Sequence, residues 1–129
     1  MRVPQKVLLY VESRYKVNRK RITSAVSSVL SEQNVQTPIE VSIAIVGDRK
    51  MSKLNKQYRN KEGTTNILSF PLSEGETSHL PTDIVRLGDI VISYPKVVQE
   101  SAEEDMLVDD RIDMLVKHGM LHLLGLHHE

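Results

Sequence analysis

Cysteine and tryptophan are both absent from this chain of 129 residues. The lack of thiols excludes disulfide bonds and also excludes zinc sites built from thiolates. Aromatic residues make up only 4% of the sequence, whereas hydrophobic residues of all kinds make up 40%. These proportions predict a single globular domain, residues 1–129, whose core is packed by Val, Ile, Leu and Met.

Long apolar runs are also missing. The first residues include Arg2, Pro4 and Lys6, and only a short apolar run follows them. A secretory signal or a membrane span needs a longer uninterrupted apolar stretch than this. We therefore expect a cytoplasmic protein without a membrane partner.

The chain has no net charge, but its charges are unevenly distributed. Residues 1–61 contain 13 Lys and Arg against 4 Asp and Glu, while residues 62–129 contain 4 and 13. The two halves therefore carry opposite charges of equal size. This pattern fits either two halves that attract one another within one domain or a basic face for an anionic partner.

The pattern of apolar residues predicts a mixture of strands and helices without strict alternation. Strands are expected over residues 7–11, 40–46, 65–71 and 87–93. Helices are expected after the N-cap Asn18, after a cap at Asp48 with Met51, Leu54 and Tyr58 buried, over residues 96–104, and from Asp109 onward. Residues 72–86 are polar and predict a long loop. The fold class is therefore α+β, with a small mixed sheet of about four strands packed against helices.

Four of the five histidines fall in the last twelve residues. His118 and His122 stand four apart in a predicted helix, which places both imidazoles on one face. Gly125 allows the backbone to leave the helix with positive φ, so that His127 or His128 can turn back as a third ligand. A lone histidine on an apolar helix is usually a core residue, but a cluster of imidazoles favours a shared cation.

Three imidazoles fill three corners of a zinc tetrahedron and leave the fourth for water, which is the arrangement of a catalytic zinc ion. Such an ion lowers the pKa of its bound water and polarises a phosphoryl oxygen. We therefore predict one Zn²⁺ per chain, held by a histidine helix like that of zinc hydrolases.

A row of cations is expected on the second helix. Arg49, Lys53 and Lys56 are spaced by four and then three residues, which puts them on one side of that helix. Charges of one sign gain nothing from one another, and such a row is suited to neutralising phosphates.

The histidine segment resembles the zinc-binding signature of the YbeY endoribonuclease family, H-G-x-L-H-L-x-G-Y-D-H. The resemblance matches His118, His122 and His128 to the three ligands. Leu126 replaces the usual tyrosine and His127 the usual aspartate, so His127 remains an alternative ligand. The family pattern continues into a further helix. This chain stops at Glu129, so we expect that helix to be absent.

Two other segments are similar to segments of the same family. One covers residues 54–61 and 65–71, where the resemblance gives Arg59 a catalytic role; a guanidinium can bind two phosphate oxygens at once. The other is Leu87-Gly88-Asp89-Ile90-Val91-Ile92-Ser93. There Asp89 is either a partner that orients a ligand histidine or a residue that caps a turn.

The resemblance implies a single-strand-specific, zinc-dependent endoribonuclease domain. It further implies a role in ribosomal RNA maturation, at the 3′ end of the small-subunit RNA, and in ribosome quality control. Its partners are single-stranded RNA, ribosomal RNA or the ribosome. The catalytic residues are then Arg59 and His118, and the RNA-binding residues are Arg49, Lys53, Lys56 and Arg59.

Two alternatives remain open. The spacing of His118, His122, Gly125 and His128 is also that of metzincin peptidases, although these need a glutamate where this chain has Gly119. The second alternative is a non-catalytic protein that binds RNA or the ribosome and uses its metal ion only for structure.

Overall fold

The computed structural model of the chain describes residues 5–72 and 84–125. Within these residues there are four strands: β1 (Gln5–Val11), β2 (Ile39–Val46), β3 (Ile67–Pro71) and β4 (Val85–Ser93). The same residues form four helices: α1 (Arg19–Glu32), α2 (Asp48–Arg59), α3 (Tyr94–Glu103) and α4 (Val108–Leu123). None of these helices is long and apolar enough to cross a membrane.

The four strands form one mixed sheet in the order β1-β2-β4-β3. Strands β1, β2 and β4 are parallel, whereas β3 runs antiparallel to β4 and lies at one edge. The predicted α+β class and the small mixed sheet are therefore confirmed.

One face of the sheet is covered by α1 and α4. Alternate residues of a strand point to opposite faces, so Val41, Ile43 and Ile45 of β2 all face these helices. Ile90 and Ile92 of β4 lie beside them and are also fully buried. We call this the closed face, and it holds the main hydrophobic core.

Among the residues that the structure describes, α2 is the one helix that covers the opposite face. Met51 of α2 packs on Val46, Leu68 and Val91, which come from β2, β3 and β4. This second cluster is small because α2 reaches only one part of the sheet. We call this side the open face.

Capping side chains fix the starts of two helices, and the sequence predicted the first of these caps. The side chain of Asn18 accepts a hydrogen bond from the backbone N–H of Arg21, 3.1 Å away, at the start of α1. Ser93 caps α3 in the same way, through the backbone N–H of Lys96 at 3.2 Å. Since Ser93 is the cap, α3 begins at Tyr94 rather than at Lys96.

An ion pair links the two helices of the closed face. Arg21 of α1 donates from Nη1 to Oδ1 of Asp110 in α4, at 2.6 Å. This hydrogen bond raises the pKa of the Arg21 guanidinium above its usual value. Attraction between the basic and acidic halves of the chain therefore occurs here, between α1 and α4.

The expectations for α2 need two corrections. Asp48 does not cap the helix, because its carboxylate accepts hydrogen bonds from Ser93 Oγ at 2.7 Å and Thr64 Oγ1 at 3.0 Å. Gly47 occupies the N-cap position without a side-chain bond. The buried side also differs, since Tyr58 is 59% exposed while Asn55 is 3% exposed.

The predicted loop over residues 72–86 is also wrong at its far end. Val85 and Arg86 already belong to β4, and the backbone N–H of Val85 donates to the carbonyl of Pro38 at 2.9 Å. Pairing with the start of β2 therefore extends β4 by two residues beyond the predicted strand. Residues 73–83 lie outside the described residues.

Candidate active site around the edge of the sheet

The two histidines of α4 lie side by side. Their ring centroids are 4.7 Å apart and the ring planes meet at 66°. His118 is exposed and His122 is half-buried. The spacing of four residues thus places both imidazoles on one side of the helix, as expected.

Gly119 determines how closely the histidine pair approaches the sheet. A Cβ atom at this position would lie 2.9 Å from Cδ1 of Ile90 and 3.2 Å from Oγ of Ser69. A Cβ atom here would force the end of the Ile90 side chain to shift, because real Cβ atoms keep further apart. The residue between the histidines therefore faces β3 and β4, and the imidazoles lie beside this contact.

The histidine side of α4 is turned toward β3. Arg111, His118 and His122 share this side, since they are spaced by seven and four residues. Asp113 and Lys117 lie on the other side of the helix, where Asp113 approaches Arg21 of α1. The imidazoles therefore point away from α1 and toward the edge of the sheet that β3 forms.

The end of α4 follows the sequence prediction. Leu124 is the C-cap, and Gly125 has a φ of +80°, which ends the helix. His127 and His128, the two candidates for the third ligand, lie outside the described residues. Within the described part of the chain, no group of three His, Cys, Asp or Glu side chains could hold a metal ion. The ligand set of His118, His122 and His128 therefore stays a prediction.

Arg59 is the last residue of α2. Its neighbour Asn60 has a φ of +54° and ends the helix. One turn earlier on the same side, Asn55 donates from Nδ2 to the carbonyl of Gly63 at 3.1 Å, which fixes the loop that leads into β3. Arg59 forms no ion pair with any residue of the described ranges. Its guanidinium is exposed on the side of α2 that faces the loop before β3.

The ends of α2 and α4 lie over the same end of the sheet. Tyr58 of α2 contacts Phe70 of β3 edge to face, with ring centroids 5.1 Å apart. On the closed face, Leu123 of α4 lies directly over Gly88, which pairs with Pro71 of β3. The Tyr58–Phe70 contact and the Leu123–Gly88 contact therefore lie at the same end of β3, on opposite faces of the sheet.

Asp89 lies within β4, on the open face of the sheet. It pairs with Ser42 and Phe70 and lines a groove on the open face. The next residue, Ile90, faces α4, and alternate residues of a strand point to opposite faces. The side chain of Asp89 therefore lies on the open face, whereas His118 and His122 belong to a helix of the closed face, which disfavours the role of Asp89 in orienting a ligand histidine.

The predicted row of cations on α2 is present on the surface. Arg49, Lys53 and Lys56 are all exposed. Lys56 is not unpaired, however, since its ammonium lies 2.7 Å from the carboxylate of Glu62. Arg49 and Lys53 form no ion pair with another residue in the described ranges, and they remain available for an anionic partner.

One network near the site has no clear signal in the sequence. Arg111 of α4 donates from Nη2 to Oε1 of Glu100 in α3 at 2.9 Å, and these side chains are only 14% and 18% exposed. The same carboxylate accepts from Nδ2 of Asn66, just before β3, at 3.2 Å. Glu100 thereby connects the start of the β3 edge to the helix that carries the histidines.

Comparison with known proteins identifies a family whose sequence model covers most of the chain. The sequence model of the family described as endoribonuclease YbeY matches residues 10–129. A protein of this name from Magnetococcus marinus is 41% identical over 97 residues, which are 71% of this chain and 66% of that protein. The chain thus spans about two thirds of the length of that relative.

Two further relatives of the same name match over more of this chain. The Roseiflexus sp. protein is 39% identical over 115 residues, covering 88% of this chain and 72% of its own length. The Syntrophus aciditrophicus protein is 34% identical over 118 residues, which are 92% of this chain and 72% of that protein.

A solved structure shares the fold. The solution structure of TM1509 from Thermotoga maritima aligns with 97% of this chain and 75% of its own, with a TM-score of 0.57 and 22% identity. The match of the family model over nearly the whole sequence, together with these relatives, shows that the chain belongs to the endoribonuclease YbeY family.

Proposed function

We propose that the protein is a zinc-dependent endoribonuclease that cuts single-stranded RNA. The observation that carries this proposal is the pair of adjacent imidazoles on α4, whose ring centroids are 4.7 Å apart. His118 and His122 belong to a helix of the closed face, and Arg59 ends the helix of the open face. The name shared by the relatives supports RNA as the substrate.

The donor set fits one Zn²⁺ ion per chain. Two neutral imidazoles one helical turn apart are a common pair of zinc ligands, and a chain without cysteine has no thiolate to compete for the ion. We assign the third ligand to His128, with His127 as the alternative. When bound, the ion would supply Lewis acidity and an activated water molecule.

Arg59 would hold the phosphate that is cleaved. A guanidinium stays charged at every physiological pH and can donate two parallel hydrogen bonds to phosphate oxygens. Because Arg59 has no acidic partner in the described part of the chain, no ion pair must break before it binds a phosphate. Its charge would also stabilise the extra negative charge that develops on the phosphate oxygens during cleavage.

Cations along α2 would bind the neighbouring phosphates of the strand. Arg49 and Lys53 are exposed and unpaired within the described ranges, and Lys56 can exchange Glu62 for a phosphate because both side chains are exposed. Exposed ion pairs of this kind contribute little to stability, so their exchange costs little.

We further propose ribosomal RNA as the physiological substrate, at the 3′ end of the small-subunit RNA, and a role in ribosome quality control in the cytoplasm. The resemblance of three sequence segments to the family supports this part of the proposal. The separation of charge along the chain supports an RNA partner, since most cations of residues 1–61 find no acid in the described part of the chain.

A peptidase is disfavoured by the direction of Gly119. Metzincin peptidases place a general base directly after the first histidine. Here that position is Gly119, which has no side chain that could act as a base and packs against Ile90 and Ser69 of the sheet.

The proposal is tested with purified protein, a labelled single-stranded RNA, the same sequence as a duplex, and casein. We expect the wild-type protein to cut only the single strand, and only after zinc is added to chelator-treated protein. His118→Ala should lose both cleavage and bound zinc. Arg59→Glu should lose cleavage by a factor on the order of 100 or more but keep its zinc.

Lys117→Gln is the matched control, because this half-buried residue of α4 pairs with Asp113 away from the histidine side. It should cleave like the wild-type protein. Cleavage that persists in His118→Ala would contradict the proposal. Casein cleavage would support a peptidase, and RNA binding without any cleavage would support a binding protein with a structural metal ion.

A further inference from the structure

The open face of the sheet carries a groove of about 610 Å³ beside α2. Its walls and floor come from all four strands and from one side of α2. The side chains that face it are Leu8, Tyr10, Ser42, Ala44, Leu54, Tyr58, Phe70, Asp89 and Val91. None of these residues has a role in holding the proposed metal ion.

The register of the strands explains the shape of the groove. Leu8, Ser42, Asp89 and Phe70 form one row across the sheet, because each is paired with the next. In the next row, Tyr10 pairs with Ala44 in the same way. The small side chains of β2 form a low floor between the ring of Tyr10 on one side and the Tyr58–Phe70 pair on the other.

The groove exposes an unusual amount of apolar surface. Six large hydrophobic side chains are exposed in the described part of the chain, and Leu8, Tyr10 and Tyr58 are three of them. Tyr10 is 57% exposed and Tyr58 is 59% exposed. Rings left open to solvent on both sides of a groove offer flat surfaces on which another ring can stack.

The floor of the groove also contains polar groups that need a partner. The carboxylate of Asp89 and the hydroxyl of Ser42 form no side-chain hydrogen bond or ion pair with any described residue. A carboxylate accepts hydrogen bonds and donates none, so its natural partner is an N–H group. An occupant of the groove should therefore be aromatic and carry N–H donors at its edge.

Cations lie at the borders of the groove. Lys50 is four residues before Leu54 and eight before Tyr58, so it shares the side of α2 that borders the groove. Lys6 is two residues before Leu8 and points to the same face of the sheet. Neither lysine forms an ion pair with another described residue. Phosphates would be attracted to these borders and repelled by Asp89 on the floor.

We propose that this groove receives an unpaired base of single-stranded RNA. The base stacks on Tyr58 and Tyr10, its N–H groups donate to Asp89, and the flanking phosphates lie at Lys6 and Lys50. This inference rests on the proposed function, which makes RNA the ligand. Since Tyr58 directly precedes Arg59, the strand that fills the groove can continue to the phosphate held by Arg59.

The test compares two fluorescent oligonucleotides with the same length and charge, a single-stranded RNA and a version that lacks its bases. Binding is measured with the full chain in the presence of a chelator, so that the RNA stays intact. We expect the wild-type protein to bind the complete RNA more tightly than the abasic one. Tyr10→Ala and Tyr58→Ala should each weaken binding of the complete RNA by about tenfold and leave the abasic RNA unaffected.

Matched controls separate stacking from general damage. Tyr58→Phe keeps the ring and should retain the preference for bases. Met114→Ala removes an equally exposed apolar side chain on α4, away from the groove, and should bind both RNAs like the wild-type protein. Asp89→Asn should weaken binding of the complete RNA by several-fold, because the amide places N–H groups where the base needs an acceptor.

Several outcomes would overturn the inference. One is that the wild-type protein binds both oligonucleotides equally. Another is that the alanine variants weaken the binding of both oligonucleotides to the same extent. A third is that Asp89→Asn tightens the binding of both oligonucleotides equally, which would mean that only phosphates approach the groove. Alternatively, Tyr10→Ala and Tyr58→Ala would leave RNA binding intact but convert a dimer to a monomer in light scattering, which would assign the groove to a second copy of the chain.

The outcome for the groove is separable from that of the proposed function. Zinc-dependent cleavage by a protein that ignores the bases would overturn the groove and leave the endoribonuclease standing. Base-dependent binding in a protein that never cleaves RNA with zinc added would support the groove and overturn the endoribonuclease.

Discussion

The two faces of the sheet are built from the same strands, yet they differ in what covers them. On the closed face, α1 and α4 bury a continuous layer of Ile and Val side chains. On the open face, α2 covers a smaller cluster around Met51 and leaves a groove beside it. The closed face therefore provides most of the apolar burial that stabilises the fold, and the open face keeps surface available for a ligand.

The candidate site residues come from helices on both faces. The histidine pair belongs to a helix of the closed face, and Arg59 belongs to the helix of the open face. A site of this kind needs the rigid packing of one face and the accessibility of the other.

The largest expected difference between the faces is in stability. Ile90 of β4 is 0% exposed and its side chain packs against Gly119 of α4. Ile90→Ala should therefore lower the free energy of unfolding by about 2 to 5 kcal/mol. Leu8→Ala, on the open face, should cost less than about 1 kcal/mol, because Leu8 is already 43% exposed. Urea unfolding followed by circular dichroism measures both. Equal losses in the two variants would refute the division into faces.

The next effect concerns the link between α3, α4 and β3. Glu100→Gln removes the charge that holds Arg111 and turns a carboxylate oxygen into an amide, so we expect a loss of about 2 kcal/mol in urea unfolding. The change should also lower RNA cleavage at saturating zinc, since the histidine helix loses a contact to the β3 edge.

Glu62→Gln is the matched control for this network. The ion pair between Glu62 and Lys56 is similarly short, at 2.7 Å, but both of its side chains are exposed. Its loss should therefore lower the free energy of unfolding by less than about 0.5 kcal/mol. If Glu100→Gln and Glu62→Gln were equally mild, burial would not be what strengthens the Glu100 network.

The smallest expected effect is a difference in salt dependence between the faces. Lys53→Gln should weaken RNA binding only a few-fold at low salt and lower the slope of log affinity against log salt concentration by about one. Lys117→Gln, on the closed-face helix, should leave that slope unchanged because its ammonium is paired with Asp113. Fluorescence anisotropy at several salt concentrations measures both, and equal slopes for Lys53→Gln and the wild-type protein would remove Lys53 from the RNA surface.

Local patterns predicted the secondary structure well where a residue type has one dominant use. Asn18 caps α1, Gly125 ends α4, and the alternation in β2 places its isoleucines in the core. Predictions failed where a side chain had a distant partner. The carboxylate of Asp48 accepts hydrogen bonds from Ser93 and Thr64 and does not cap its own helix. The start of β4 is set by pairing with β2.

The sequence alone determined which chemistry is available: no thiolates, a pair of imidazoles one turn apart, and a guanidinium at the end of a helix. These follow from residue identity and helical periodicity, which act over a few positions. Only the tertiary structure decided that Asp89 and the histidines lie on opposite faces, and that Glu100 joins Asn66 to Arg111. Those relations depend on strand order and on helix packing between residues far apart in the chain, which no local pattern encodes.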